Sequence, residues 1–444
     1  MMLNDVPLIR TEIPGPRARG LLERQSRLLV YTLPSWVPVV WEKAEGAVVT
    51  DVDGNRYIDF SSGVSVMNTG HSHPVFVERL QAQVAKLSHC YFSPTEVQVE
   101  AMEALASVLP PTLRRVVLTN TGAEGVEMAV KVARAFTGRN DIITFMGSFH
   151  GRSSLDAAMT GIWHVRKGGG PLPSGHIHAP YAYCYRCSLG LERECCNLQC
   201  LRYLDDLMIT FARGDTAAAV VEPYLGVAGS IVPPPEFLQG LRAFCDRHNL
   251  LLVFDEVQAS FGRTGKMFAF EHYGFLPDIV ILGKGIAGGV PTSAVAMRED
   301  ISDALRAVGW PSTFAANPLS CAGVTASVEV LVKEGLPEKA ARTGSRIMER
   351  LNAMTERYPL IGDARGIGLS IGVEFVRDRI SKEPAREESR AIFEHLTRSG
   401  LITLPPGGLY NNVIRITPPL MISEELADRG MDLFEDAIRQ VSER

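Results

Sequence analysis

Leu250-Leu-Leu-Val-Phe-Asp-Glu256 and Asp278-Ile-Val-Ile-Leu-Gly-Lys-Gly-Ile-Ala-Gly-Gly289 carry the pattern that decides the fold. Each opens with a short unbroken apolar run and ends in charged side chains. A strand with one wet face alternates apolar and polar residues, so an unbroken run belongs to a strand buried on both faces. The pattern recurs at Val116–Leu118, Ile142–Phe145 and Ala217–Val221. Helical periodicity fills the gaps, as in Val97–Leu109, Ala123–Phe136 and Phe237–His248. Strands alternating with helices predict an α/β fold, a mostly parallel sheet covered by helices.

The two ends of the chain read differently. Ile13-Pro14-Gly15-Pro16, Pro34 and Pro38 predict an extended arm, followed by short strands at Ala47–Asp51 and Arg56–Asp59 around an Asp53-Gly54-Asn55 turn. After Asn317 come amphipathic helices (Leu319–Val332, Glu338–Arg357), short strands around Gly366-Ile367-Gly368 and Val413–Thr417, and a last helix at Glu424–Val441. We expect residues 1–65 to form an arm and part of a smaller α+β domain, 66–318 a large domain, and 319–444 the rest of the smaller one.

Composition narrows the function. Of 444 residues 46% are hydrophobic and 21% charged, the mix of a globular protein. Lys and Arg total 45 against 50 Asp and Glu, a net charge of −5, without the basic excess that nucleic acid or an anionic membrane selects. No apolar run reaches the roughly 18 residues of a membrane span. The N-terminus has no apolar signal-peptide core and the eight cysteines form no disulfide framework, so a cytoplasmic protein is expected.

Polar residues cluster where the strands end, which is where open α/β sheets bind ligands. Glu222, Asp255-Glu256 and Lys284 each close an apolar run. Lys284 stands among Gly283, Gly285, Ile286, Ala287, Gly288 and Gly289. Poor solvation there disfavours the ammonium and makes the amine a nucleophile for a carbonyl. The same glycines match a dinucleotide fingerprint, but a turn into a strand follows where that motif needs a helix. Gly262-Arg-Thr-Gly-Lys266 mimics a phosphate loop with short spacing and Met267 in place of Ser or Thr. Asn120-Thr-Gly-Ala-Glu-Gly125 opens a helix with small residues, a phosphate-binding arrangement. A nucleophilic lysine beside a phosphate cradle suggests a phosphorylated carbonyl cofactor.

These residues fall within longer motifs. They are Asn68–Pro74, Thr119–Gly125, Phe149-His-Gly-Arg152, Val221-Glu-Pro223, Asp255-Glu-Val-Gln258 with Gly262–Gly265, Gly283-Lys-Gly285 and Ser312–Pro318. From Pro38 to Arg429 the chain resembles the class III aminotransferases, pyridoxal-phosphate enzymes of fold type I that include the 4-aminobutyrate and ornithine aminotransferases. The resemblance implies pyridoxal 5'-phosphate as cofactor. Lys284 matches the Schiff-base lysine and general base, and Asp255 the carboxylate on the pyridine nitrogen. Val257 would lie under the ring and Phe149 over it, with His150 beside it. Gln258 and Glu222 would serve the ring-hydroxyl side. Gly122 and Ala123 would offer backbone donors to the phosphate, and Thr313 would reach the phosphate of a second subunit, which makes a homodimer with shared active sites.

Substrate handles follow from the same resemblance. Arg415 matches the arginine that grips the substrate α-carboxylate, and Arg152 the one used for a distal carboxylate. Val227 stands where the 4-aminobutyrate and ornithine enzymes have a Glu that neutralises the first arginine. That departure favours α-amino acids beside 4-aminobutyrate-like ω-amino acids as donors, with an oxo acid such as 2-oxoglutarate or pyruvate as acceptor. A racemase, epimerase or decarboxylating transaminase of the same family is the alternative. Cys184, Cys187, Cys195, Cys196 and Cys200 crowd into one insertion, open to three readings: a metal, a disulfide or a reduced loop. No metal is expected at the catalytic site, and His71 and His73 are expected to be loop residues. Tyr91, Phe92 and Trp163 are candidates for the side-chain pocket.

Overall fold

The computed structural model describes residues 6–30, 37–91, 93–168, 170–309 and 312–443. Pro34 and Phe92 lie outside them. Three strands come first, β1 (Trp41–Glu45), β2 (Val48–Asp51) and β3 (Arg56–Asp59). The central sheet follows, made of β4 (Arg115–Thr119), β5 (Asp141–Phe145), β6 (His176–Ala179), β7 (Thr216–Val221), β8 (Leu251–Glu256), β9 (Ile279–Leu282) and β10 (Ser293–Met297). Its order is β4-β10-β9-β8-β7-β5-β6. Only β10 runs antiparallel to its neighbours, and β5 to β9 pair in parallel wherever they meet. Every residue of β5, β7, β8, β9 and β10 is buried, as the unbroken apolar runs require. At about 1.5–3 kcal/mol per fully buried aliphatic or aromatic side chain, this two-sided burial drives folding.

The chain ends build the smaller α+β part. β14 (Leu401–Ile402) adds in parallel to β3, pairing Leu401 with Ile58 across the whole sequence. β11 (Ile361–Ile367), β12 (Ser370–Asp378), β13 (Glu383–Pro384) and β15 (Val413–Ile416) make a second small sheet. The expected extended arm is in part a helix, Pro16–Ser26. Pro16 pre-sets the first turn. A distant carboxylate then caps it: Asp53 accepts from the Arg17 and Ala18 backbone N–H groups at 2.8 and 2.9 Å. Ala18 is the helix's only buried residue, so no apolar stripe announces it. Among the described residues no helix is long and apolar enough to cross a membrane.

Gly262-Arg263-Thr264-Gly265, which mimics a phosphate loop, is a clamp between the two parts. Arg263 is fully buried. It donates to the carbonyls of Leu369 (3.0 Å) and Pro418 (2.6 Å), to Ser62 Oγ (3.1 Å) and to Asn68 Oδ1 (2.6 Å). Arg263→Met stops burying a charge but orphans four acceptors at once, and the second effect is the larger. We expect a loss of about 3 kcal/mol. An unchanged urea midpoint would contradict the clamp.

Candidate active site

Lys284 leaves the end of β9 in a left-handed turn, φ +46°, a conformation that costs a non-glycine residue energy and is common at functional sites. Its Nζ donates to Gln258 Oε1 at 3.1 Å. Burial, and then the charge of Arg415, lowers the amine to about 8, against the opposing pull of Glu222 and Asp255.

Asp255, at the end of β8, lies across from this amine and is buried. One oxygen accepts from the Val257 N–H at 3.0 Å, and the other is 2.8 Å from His150 Nδ1. Burial works against charge on His150, yet the Asp255 hydrogen bond and negative charge outweigh it and raise the imidazole's pKa. Glu222 follows β7. Its carboxyl accepts from the N–H of Phe149 (2.7 Å) and of Gly226 (3.1 Å), while burial and the nearby Asp255 push it up to about 7. Gln258 is fixed from its far side, donating to Ser65 Oγ at 3.3 Å.

The anion end is the helix Gly122–Thr137. The Thr121 hydroxyl caps Glu124 N–H, so the N–H groups of Gly122 and Ala123 remain at the positive helix end. Val257 is wedged between this turn and the lysine turn. A Cβ on either Gly122 or Gly283 would come within 3.0 Å of its Cγ1, so only glycine lets both backbones close on it. Asn120 ties this end to the Ser312 hydroxyl at 2.6 Å. Thr313, next in the chain, is exposed.

Arg415 lies on β15 and is buried, with Nη1 donating to the Gly226 carbonyl at 3.3 Å. Its Nε has no partner among the described residues. Among the described residues no carboxylate is within ion-pair distance of it, and burial lowers the guanidinium to about 10 against the opposing pull of Tyr224 and Glu222. Arg152 is exposed, with its guanidinium 5.4 Å from the Phe149 ring centre. Tyr91 and Trp163 are exposed as well.

The five clustered cysteines are free thiols, and Cys184, Cys187, Cys196 and Cys200 line one cavity of about 200 Å³. No disulfide closes the loop. Among the described residues no three His, Cys, Asp or Glu side chains stand where they could hold a metal ion. The loop is bolted down by Tyr183 and Arg186, which both donate to the buried Glu374 of β12. His71 is a loop residue paired with Asp59, 2.8 Å away, and His73 pairs with Glu334 at 2.8 Å.

The profile for aminotransferase class-III matches residues 33–438. The chain is a class III aminotransferase. Among curated relatives it is 37% identical to the leucine/methionine racemase of Thermococcus litoralis, over 96% of this chain and 97% of that one. It is 35% identical to the 4-aminobutyrate aminotransferase of Escherichia coli, over 96% and 99%. It is 40% identical to the acetylornithine aminotransferase of Methanopyrus kandleri, over 90% and 95%. Among solved structures, a Bacillus anthracis aminotransferase superposes with a TM-score of 0.88 at 30% identity, over 96% and 99%. Membership gives the class III aminotransferase its fold, fold type I, and its activity, transfer of an amino group from an amino acid to an oxo acid. It also implies pyridoxal 5'-phosphate. Sequence reasoning missed Arg263, Ser65 and the Gly226 peptide that joins Glu222 to Arg415. Arg263 stands inside the Gly262–Gly265 motif, but its clamping role rests on partners far along the chain, and Ser65 and Gly226 stand in none of the motifs.

Proposed function

We propose that this class III aminotransferase takes α-amino acids as donors and an oxo acid as acceptor, holding both by Arg415. The observation that carries the reading is the buried Arg415 guanidinium, hydrogen-bonded to the Gly226 carbonyl and without an ion-paired carboxylate among the described residues. An uncompensated buried cation is costly. A substrate that brings an α-carboxylate in both halves of the reaction removes that cost each time. Val227, one residue beyond the carbonyl that Arg415 touches, supplies no charge to compete. Arg152, beside Phe149, is the group we assign to a distal carboxylate.

The residues suit pyridoxal 5'-phosphate. When bound it supplies an aldehyde and an electron-withdrawing ring that acidifies the substrate C–H bond. Asp255 would keep the ring nitrogen protonated and His150 would hold Asp255 in place. Val257 and Phe149 would flank the ring, and Gln258 and Glu222 would face its hydroxyl side. Gly122 and Ala123 N–H groups would take the phosphate. Lys284, once free, takes the α-proton at Nζ and returns it, with an amine near 8 able to do both at neutral pH. We propose a homodimer, its phosphate site completed by the exposed Thr313 of a second copy, with domains at 1–65 plus 319–444 and at 66–318. Free thiols suit a reducing compartment, so we place the enzyme in the cytoplasm.

The test is a panel of donors and acceptors with the coenzyme-loaded enzyme, which should show α-amino acids ahead of 4-aminobutyrate in kcat/KM. Arg415→Gln should raise KM for donor and acceptor alike by roughly 10–100-fold, the worth of a charge-assisted bond. A KM rise confined to one half-reaction would refute the shared handle. The relation to the Thermococcus racemase and the open Arg415 favour racemisation as the second reading. Loss of optical rotation from one amino acid, with no oxo acid present, would move it to first place.

A further inference from the structure

Behind the Asp255–His150 pair sits a second buried carboxyl that the reaction does not use. Asp156, in the short helix Ser154–Met159, is fully buried. Its Oδ2 is 2.5 Å from Ser153 Oγ, and the same hydroxyl is 2.8 Å from Glu127 Oε1. A hydroxyl has one proton and can donate to only one acceptor, so two carboxylates cannot both bond it. The two carboxylates therefore compete for the one Ser153 proton, and protonation of either ends the contest. Glu127 is partly open to solvent and Asp156 is not, so Asp156 is the one that takes up a proton more readily as pH falls.

Asp156 also lies against the backbone next to His150. Gly151 has φ +142°, and a Cβ there would sit 2.6 Å from Asp156 Oδ2. Among the described residues each keeps one buried polar atom without a partner, Oδ1 of Asp156 and Nε2 of His150. The His150 backbone and Nδ1 are otherwise fixed, on Thr160 Oγ1 (3.0 Å) and Asp255 (2.8 Å). What remains adjustable is its charge.

We infer that Asp156 is a positioning residue: it shares a proton with Ser153, and the charge left on it sets how His150 holds Asp255. The inference rests on the reading of Asp255 as the ring-nitrogen partner. The charged or titratable groups around His150 are Asp255, Glu222, Asp156 and His178, and around Asp156 they are Glu127, His150 and Asp255. Of these, Asp156 alone is both fully buried and engaged with a hydroxyl already claimed by another carboxylate. Burial pushes its carboxyl up to about 7, so its charge changes in the working pH range.

The experiment follows the His150 ring by NMR in coenzyme-free protein, with a His150→Gln spectrum for assignment. Asp156→Asn removes the titrating charge with little change of shape, and His150 should then titrate lower by about half a pH unit or more. Ser153→Ala, at an exposed position, leaves Asp156 more fully protonated and should move His150 the same way by less. A purely structural Asp156 would leave both titrations where they were, and that result overturns the inference. In the loaded enzyme Asp156→Asn should lower kcat and displace its pH profile, with KM unchanged. Because the NMR shift needs neither coenzyme nor substrate, it stands or falls apart from the proposed donor preference. A His150 shift together with an Asp255→Asn enzyme of undiminished activity sinks the reading of Asp255; no shift in Asp156→Asn sinks this inference.

Discussion

Lys284→Met should abolish transamination, lowering turnover on the order of 10⁴-fold, the upper end of what a positioned acid–base group contributes. The amine is held by Gln258, and among the described residues no other amine is hydrogen-bonded there to take over. Added small primary amines should restore a few per cent of the rate, since they can carry a proton that methionine cannot. The variant has a second signature. Burial lowers the amine from 10.5 to about 8, so the folded state pays for the ammonium at every pH below about 8. That penalty is about 3 kcal/mol from the size of the shift. It shrinks as pH rises from 8 and is gone above 10.5, where both folded and unfolded chains carry a neutral amine. Coenzyme-free Lys284→Met should therefore be more stable than the parent at pH 7 and equal to it at pH 11. A variant that is inactive but no more stable at pH 7 would show that the lysine is not held in poor solvation.

Asp255→Asn should cost on the order of 10²–10³-fold in kcat/KM with the fold intact, as expected when one fixed charge is removed from a reacting group. An asparagine can still accept from Val257 N–H, so the local turn survives. What is lost is the charge, and His150 reports it. The imidazole's pKa is raised above its ordinary 6.5 by Asp255, so their pairing stabilises the fold fully below 6.5 and less as pH climbs through the raised value. In Asp255→Asn that dependence should flatten. Urea midpoints of coenzyme-free protein between pH 5 and pH 8 check it, and a slope equal to the parent's would mean that His150 draws its charge from elsewhere.

Much of this was legible in the amino-acid order because burial writes itself locally. Ile279–Leu282 can only be an interior strand, and the residues that follow it have to be where the sheet ends. Lys284, Asp255 and Glu222 were found on that logic and Gln258 through the family resemblance, and the structure brings them together. Arg263 and Asp156 were not legible. Two of the four acceptors around Arg263 are backbone carbonyls more than a hundred residues away, and carbonyls are the same in every sequence. Asp156 looks like an ordinary residue in a helix's first turn, and only the shared Ser153 hydroxyl marks it out. The helix Pro16–Ser26 escaped because its cap comes from Asp53 rather than from its own residues.

The parallel pairing of Ile58 with Leu401 sets an order of events during synthesis. A ribosome must add more than three hundred residues after β3 before its partner strand exists. The central sheet, whose strands lie between those two points, is complete long before then and can collapse while the chain is still growing. Until translation ends, the edge of β3 stays without its natural neighbour, an unpaired strand that invites wrong partners in a crowded cell. Shortened products of this gene should for that reason clump rather than persist as working halves.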